Sequence, residues 1–265
     1  LTSLENMHYK ADKLPIVPTL FISIACGAIS GFHATQSPLM ARCMTSETQA
    51  RPIFFGAMIA ESIIALIWAA VAMAFFGGVE GLNGWMAENG DKAGLAVSTI
   101  SVATLGVAGS ILALLGVVAA PITSGDTAFR SARLIVADML NFDQRPIWKR
   151  LVVSLPLFAA GVGIAFIDFD VIWRYFAWSN QALSVLTLWM ITAWLMRRRS
   201  RCVLLALIPA LIMTYICASF VFVSDQFVGM GSVDAAYIYG GAVTAIVAGL
   251  LILKIRKINR NETNI

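Results

Sequence analysis

Polar side chains set among apolar ones mark where chemistry can happen in this sequence. The run Ser30-Gly31-Phe32-His33-Ala34-Thr35-Gln36-Ser37-Pro38 follows a hydrophobic segment and offers His33, Thr35, Gln36 and Ser37 as hydrogen-bonding groups. Gly31 suits chain reversal and Pro38 breaks a helix. The run therefore reads as a discontinuous helix whose free N–H and C=O groups hold a substrate or an ion. A plain loop starting at Gly31 would have the same spacing. Glu61 is the one carboxylate well inside an apolar segment. There it must be protonated, paired or wetted, which suits a proton carrier or a helix-packing residue. Further on, Trp178-Ser179-Asn180-Gln181 sets two amides in a helix, and these need partners across helices or in a substrate. Ser98, Thr99, Ser101, Thr104 and Ser110, with Gly106 and Gly109, fit a polar path or close helix packing.

The elements that position these groups are apolar helices. Apolar residues make up 59% of the 265 residues and charged residues only 13%, with mean hydropathy +0.80. Ordinary soluble domains carry about a quarter charged residues. Seven segments are expected to cross a bilayer as helices. They are Leu14–Gly31, Ile53–Phe76, Leu95–Ala120, Leu151–Ile167, Val171–Met196, Cys202–Val223 and Ala235–Leu253. Pro121 stops the third. A separate amphipathic helix over residues 123–141 follows, capped by Ser124 or Asp126 and lying on the membrane surface. The fold class is all-α and polytopic, with residues 1–265 as one transmembrane domain. Residues 1–13 are a polar lead-in and 254–265 a cytoplasmic tail.

The charges sort by side. Arg42, Arg51, Arg130, Arg133, Arg145, Lys149, Arg150, Arg197, Arg198, Arg199, Arg201, Lys254, Arg256, Lys257 and Arg260 all follow odd-numbered segments. The opposite side holds Lys10, Lys13, Lys92 and Arg174 together with most of the acidic residues. This is the positive-inside pattern, with the start of the chain outside and its end in the cytoplasm. The net charge of +4 is thus a topology signal and does not point to nucleic acid. Cys26, Cys43, Cys202 and Cys217 are too scattered for a disulfide framework and read as reduced packing residues. The chain begins at Leu1 without a signal-peptide pattern, so an upstream part is expected to precede it. No hydrolase, nucleotide-binding, zinc-protease or dinucleotide fingerprint occurs, and no second acid stands near Glu61. Neither an enzyme nor a cofactor or metal is expected.

At ACGAISGFHATQSPLMARC, from Ala25 to Cys43, the chain resembles the carbon starvation protein A family. The resemblance continues through Phe55-Gly56-Ala57-Met58-Ile59-Ala60-Glu61, through Thr123-Ser124-Gly125-Asp126-Thr127-Ala128-Phe129-Arg130, and from Trp173 to Gln181. The HATQSP form looks like the shorter branch of the family, and the chain like its C-terminal portion. The resemblance implies uptake of short peptides, or of pyruvate with protons, across a bacterial or archaeal cytoplasmic membrane when carbon runs short. It also implies one half of an inverted-repeat fold of the amino acid–polyamine–organocation type. The expected partners are the bilayer, the upstream half and a small-molecule substrate. A membrane sensor or assembly subunit of the starvation response is the reading from another class. It would need a larger soluble output surface than the connections here provide.

Overall fold

In an apolar solvent the peptide groups have no partner but each other, and helix satisfies all of them locally. The computed structural model describes residues 7, 15–24, 31–90, 92–167, 169–198 and 200–262, and it accordingly contains helices and no strand among them. In chain order these are α1 (Ile16–Ile24), α2 (Gly31–Cys43), α3 (Ala57–Phe75), α4 (Val79–Glu88), α5 (Ala93–Met139), α6 (Ile147–Ile164), α7 (Phe169–Arg197), α8 (Val203–Val223) and α9 (Val233–Glu262). A 3-10 turn at Glu47–Gln49 and a π-helical turn at Arg51–Gly56 run into α3, making one 29-residue apolar helix.

Among the described residues, five helices are long and apolar enough to cross a membrane: Glu47–Phe75, Ala93–Met139, Ile147–Ile164, Val203–Val223 and Val233–Lys254. The protein is an all-α, multi-pass membrane protein. Two of the seven expected spans do not reach that standard. The helix of the first covers only Ile16–Ile24, and residues 25–30 lie outside the described ones. The fifth, α7, has 29 residues, but Arg174, Ser179, Asn180, Gln181 and Ser184 make it too polar.

The expected stop at Pro121 does not occur. Pro121 lies inside α5, which runs on to Met139, so residues 123–139 continue that helix instead of forming a separate surface helix. Asp126, expected as a cap, pairs within the helix with Arg130 at 3.0 Å. The break in α5 falls earlier, at Gly106, with φ 64° and ψ −173°. That conformation is essentially open to glycine alone. Pro38 likewise sits inside α2, so His33 to Ser37 are helical. A proline removes one hydrogen bond, whereas ending a helix in an apolar medium strands several peptide groups.

The chain divides into two units. In the unit of residues 1–14 and 38–166, α3 contacts α4 and α5, and α5 packs on α6. The α5–α6 pair closes by stacking Phe129 on Phe158, ring centroids 4.4 Å apart. Gly161 leaves room for this, since a Cβ there would stand 2.7 Å from the Phe129 ring. In the unit of residues 15–37 and 167–265, α8 is packed by α1, α7 and α9. Ile22, Ala177, Met213, Ile216, Cys217 and Phe220 form one core there. Trp189, Ala210 and Ala248 form a second. Small residues bring α8 and α9 close, for a Cβ on Gly240 would fall within 2.9 Å of the Ser219 Cα. Cys43, Cys202 and Cys217 are free thiols; only Cys217 is buried, so the first two are not packing residues, and Cys26 lies outside the described residues.

Candidate functional site

One face of α7 gathers the amides. Gln181 is fully buried, and Asn180, Ser184 and Thr192 are buried with it. Ala177, Gln181, Ser184, Leu188 and Thr192 recur at the three- and four-residue spacing of a single helical face. Ser184 Oγ donates to the Gln181 carbonyl at 2.7 Å, and Thr192 Oγ1 to the Leu188 carbonyl at 2.8 Å. Across from this face, α8 contributes Thr214, while Ser219 of α8 is buried against Gly240 of α9. Thr214 Oγ1 accepts from Trp189 Nε1 at 3.0 Å and donates to the Ala210 carbonyl at 2.5 Å. Trp178 Nε1 reaches the Cys217 carbonyl at 3.1 Å. Ser219 Oγ, by contrast, is buried with no hydrogen-bond partner among the described residues, and so is Thr19 Oγ1 on α1. Buried hydroxyls without partners are costly.

The start of α2 lies directly against this face. A Cβ on Gly31 would stand 2.7 Å from the Asn180 carbonyl oxygen, 2.8 Å from its Oδ1 and 2.9 Å from Leu183 Cβ. Gly31 is therefore needed for close approach, in helical backbone, and not for the expected chain reversal. Phe32 meets Phe176 of α7 with ring centroids 6.1 Å apart. His33, Thr35, Gln36 and Ser37 follow on α2, each half-buried, and Thr35 Oγ1 donates to the Phe32 carbonyl at 3.2 Å. The structure thus joins Gly31 to Asn180, with His33 two residues along α2 and Gln181 next to Asn180.

Glu61 belongs to the other unit. It is exposed on α3, where it is the only charged residue between Ala57 and Phe75, and no hydrogen bond or ion pair engages it among the described residues. That unit carries its own irregularity. The break at Gly106 interrupts the peptide ladder inside an apolar helix, the feature first expected at residues 31–38. Thr104 Oγ1 donates to the Ile100 carbonyl at 2.7 Å and Ser110 Oγ to the Val107 carbonyl at 2.8 Å, so hydroxyls flank the break on both sides. Ser101 and Ser110 are buried beside it.

Sequence reasoning missed Ser184, Thr192, Thr214 and Ser219. Their spacing on α7 was the available signal there. On α8, Ser219 stands out only once Gly240 is seen to press on it.

The chain matches the family described as "Carbon starvation protein CstA" over residues 6–112. That span includes the Ala25–Cys43 and Phe55–Glu61 stretches and stops short of those at Thr123 and Trp173. An uncharacterized protein of Haemophilus influenzae is 48% identical over 114 residues, covering 43% of this chain and 82% of that protein. The pyruvate/proton symporter BtsT of Escherichia coli is 39% identical over 87 residues, 32% of this chain and 12% of the symporter. The peptide transporter CstA of Helicobacter pylori is 43% identical over 53 residues, 20% of this chain and 8% of that transporter. The chain therefore spans most of the first relative and a small fraction of the two named transporters. No solved structure matches it.

Proposed function

The chain belongs to the carbon starvation protein CstA family, and from that premise we propose that it is part of a secondary active transporter taking up short peptides during carbon starvation, driven by protons. The observation that carries the reading is the buried polar face of α7, with Asn180, Gln181, Ser184 and Thr192, met by Thr214 of the apolar helix α8. Polar groups at depth serve helix packing or a solute route, and the pair of amides beside the start of α2 supports the second. Substrate meets the face where α2 abuts it, at His33, Thr35, Gln36, Ser37, Asn180 and Gln181. Glu61 carries the proton. A lone carboxylate on an apolar helix is expensive to keep without a task, which supports that assignment. The relatives' names support transport, and the upstream portion of the same transporter is the natural partner. Residues 1–265 act as one transmembrane domain in a bacterial or archaeal cytoplasmic membrane, with the chain's start outside and its end inside, as the distribution of Lys and Arg favours.

A second reading, proton-coupled import of pyruvate or a similar small carboxylate, is favoured by the longer match to the symporter BtsT. Proteoliposomes holding the full-length protein separate the two. Accumulation of labelled di- or tripeptide, competed by peptides and not by pyruvate, is the expected result. Competition by pyruvate alone selects the second reading. Accumulation that persists with an uncoupler and no ion gradient removes proton coupling, and a Glu61→Gln protein with unaltered pH dependence removes Glu61 from it.

A further inference from the structure

The α5–α6 pair encloses a second polar feature that the transport reading leaves unused. A cavity of about 410 Å³ is lined by Asp126, Phe129, Arg130, Arg133, Arg150 and Ser154 among others. Three guanidinium groups face one carboxylate there. Arg130 uses one nitrogen on Asp126 at 3.0 Å. Arg150, also in the lining, donates from Nε to the Gln144 carbonyl at 2.6 Å and from Nη2 to the Arg145 carbonyl at 3.4 Å, which holds its head in place. Arg133 Nε is buried without a hydrogen-bond partner. An excess of positive charge that includes a buried, unbonded donor calls for an anion with several acceptor oxygens.

The surroundings say which anion. Arg150 stands in the first turn of α6, next to Lys149 and an exposed Trp148, the composition of a membrane–water boundary. Along α5 the same helical face continues from Arg133, Phe129 and Asp126 to Ile122, Val118 and Leu115, at the three- and four-residue steps of one stripe. These three apolar side chains are all more than half exposed, at 67%, 57% and 60%. The stripe is cationic at one end and bare hydrocarbon at the other. That is the complement of a phospholipid carrying a negative headgroup, and a free anion would use only half of it.

We infer that the α5–α6 pair binds an anionic phospholipid, its phosphate on Arg130, Arg133 and Arg150 and its acyl chain along Ile122, Val118 and Leu115. The inference rests on membrane residence and not on transport, so it survives failure of the uptake experiment.

Native mass spectrometry of the purified full chain tests it, with phosphatidylglycerol and phosphatidylcholine of identical acyl chains added in turn. Phosphatidylglycerol is expected to be retained about tenfold better, and Arg133→Gln to weaken its retention about fivefold. Replacing Arg130, Arg133 and Arg150 together by Gln should abolish the preference. Arg201→Gln, in a basic cluster elsewhere, should change retention less than about twofold. Ile122→Ser, at an exposed position that does not threaten folding, should weaken retention of both lipids. Equal retention of the two lipids by the unaltered protein, or an undiminished preference in Arg133→Gln, overturns the site. Displacement of phosphatidylglycerol by inorganic phosphate at millimolar levels, with Ile122→Ser without effect, overturns the lipid in favour of a free anion.

Discussion

Helices α3 and α8 are nearly matched in length and apolar character, yet none of the most apolar stretch of α3 is buried and close to half that of α8 is. The difference lies in their neighbours. Around α8 stand α1, α7 and α9, whereas α3 touches its own preceding turn, α4 and α5. The polar groups divide in the same way. Near α8, Ser184, Thr192 and Thr214 are buried and hydrogen-bonded to carbonyls or a ring N–H group. Glu61 on α3 is exposed. Apolarity alone says that a helix avoids water; only the placement of its polar and small residues says whether it meets protein.

This contrast breaks if truncations in the two helices cost the same. Ile216→Ala, in the core on α8, should destabilise by about 2–5 kcal/mol in thermal unfolding in detergent. Leu66→Ala, on the exposed side of α3, should stay within about 0.5 kcal/mol. Equal losses would mean that α3 is covered as fully as α8. Next in size is Gly31→Val, whose side chain must displace the Asn180 backbone; about 1–3 kcal/mol is expected. If melting is unchanged, α2 does not seat on α7. Thr214→Val keeps the shape and leaves Trp189 Nε1 without its acceptor, for a loss of about 1–3 kcal/mol by the same measurement. A loss no greater than that of Leu66→Ala would show that the α7–α8 polar pairing adds nothing. The smallest effect belongs to Asp126→Asn. Its pair with Arg130 is an exposed i,i+4 contact, worth less than about 0.5 kcal/mol, and a larger drop in melting would mean that the α5–α6 cavity is closed from outside.

The helical, membrane-spanning character was legible because it depends on composition summed over long stretches. Asn180 and Gln181, both buried, were also picked out, since amides within a helix of apolar neighbours stand out. The break points were not legible. Pro38, Pro121, Pro156 and Pro209 all lie inside helices. The rule that proline ends a helix comes from water, where freed peptide groups find partners at once. Without water the helix carries on past the proline. Gly31 was singled out for the wrong reason: its missing side chain matters for space against Asn180, a tertiary fact with no local signature. Helix α7 falls short of a span by hydropathy because its polar face, buried in protein, lowers the average.

The glycine at 106 has a mechanical consequence. Laid end to end, the 47 residues of α5 would form a pole of about 70 Å, far more than a bilayer needs. With one residue outside helical geometry, the pole becomes two levers on a swivel. Rotation about two backbone bonds reorients either arm without stretching the hydrogen bonds of the other. The shorter arm, before the swivel, lies within the portion shared with the family, and nearly all of the longer arm lies beyond it. Torque on one need not reach the other.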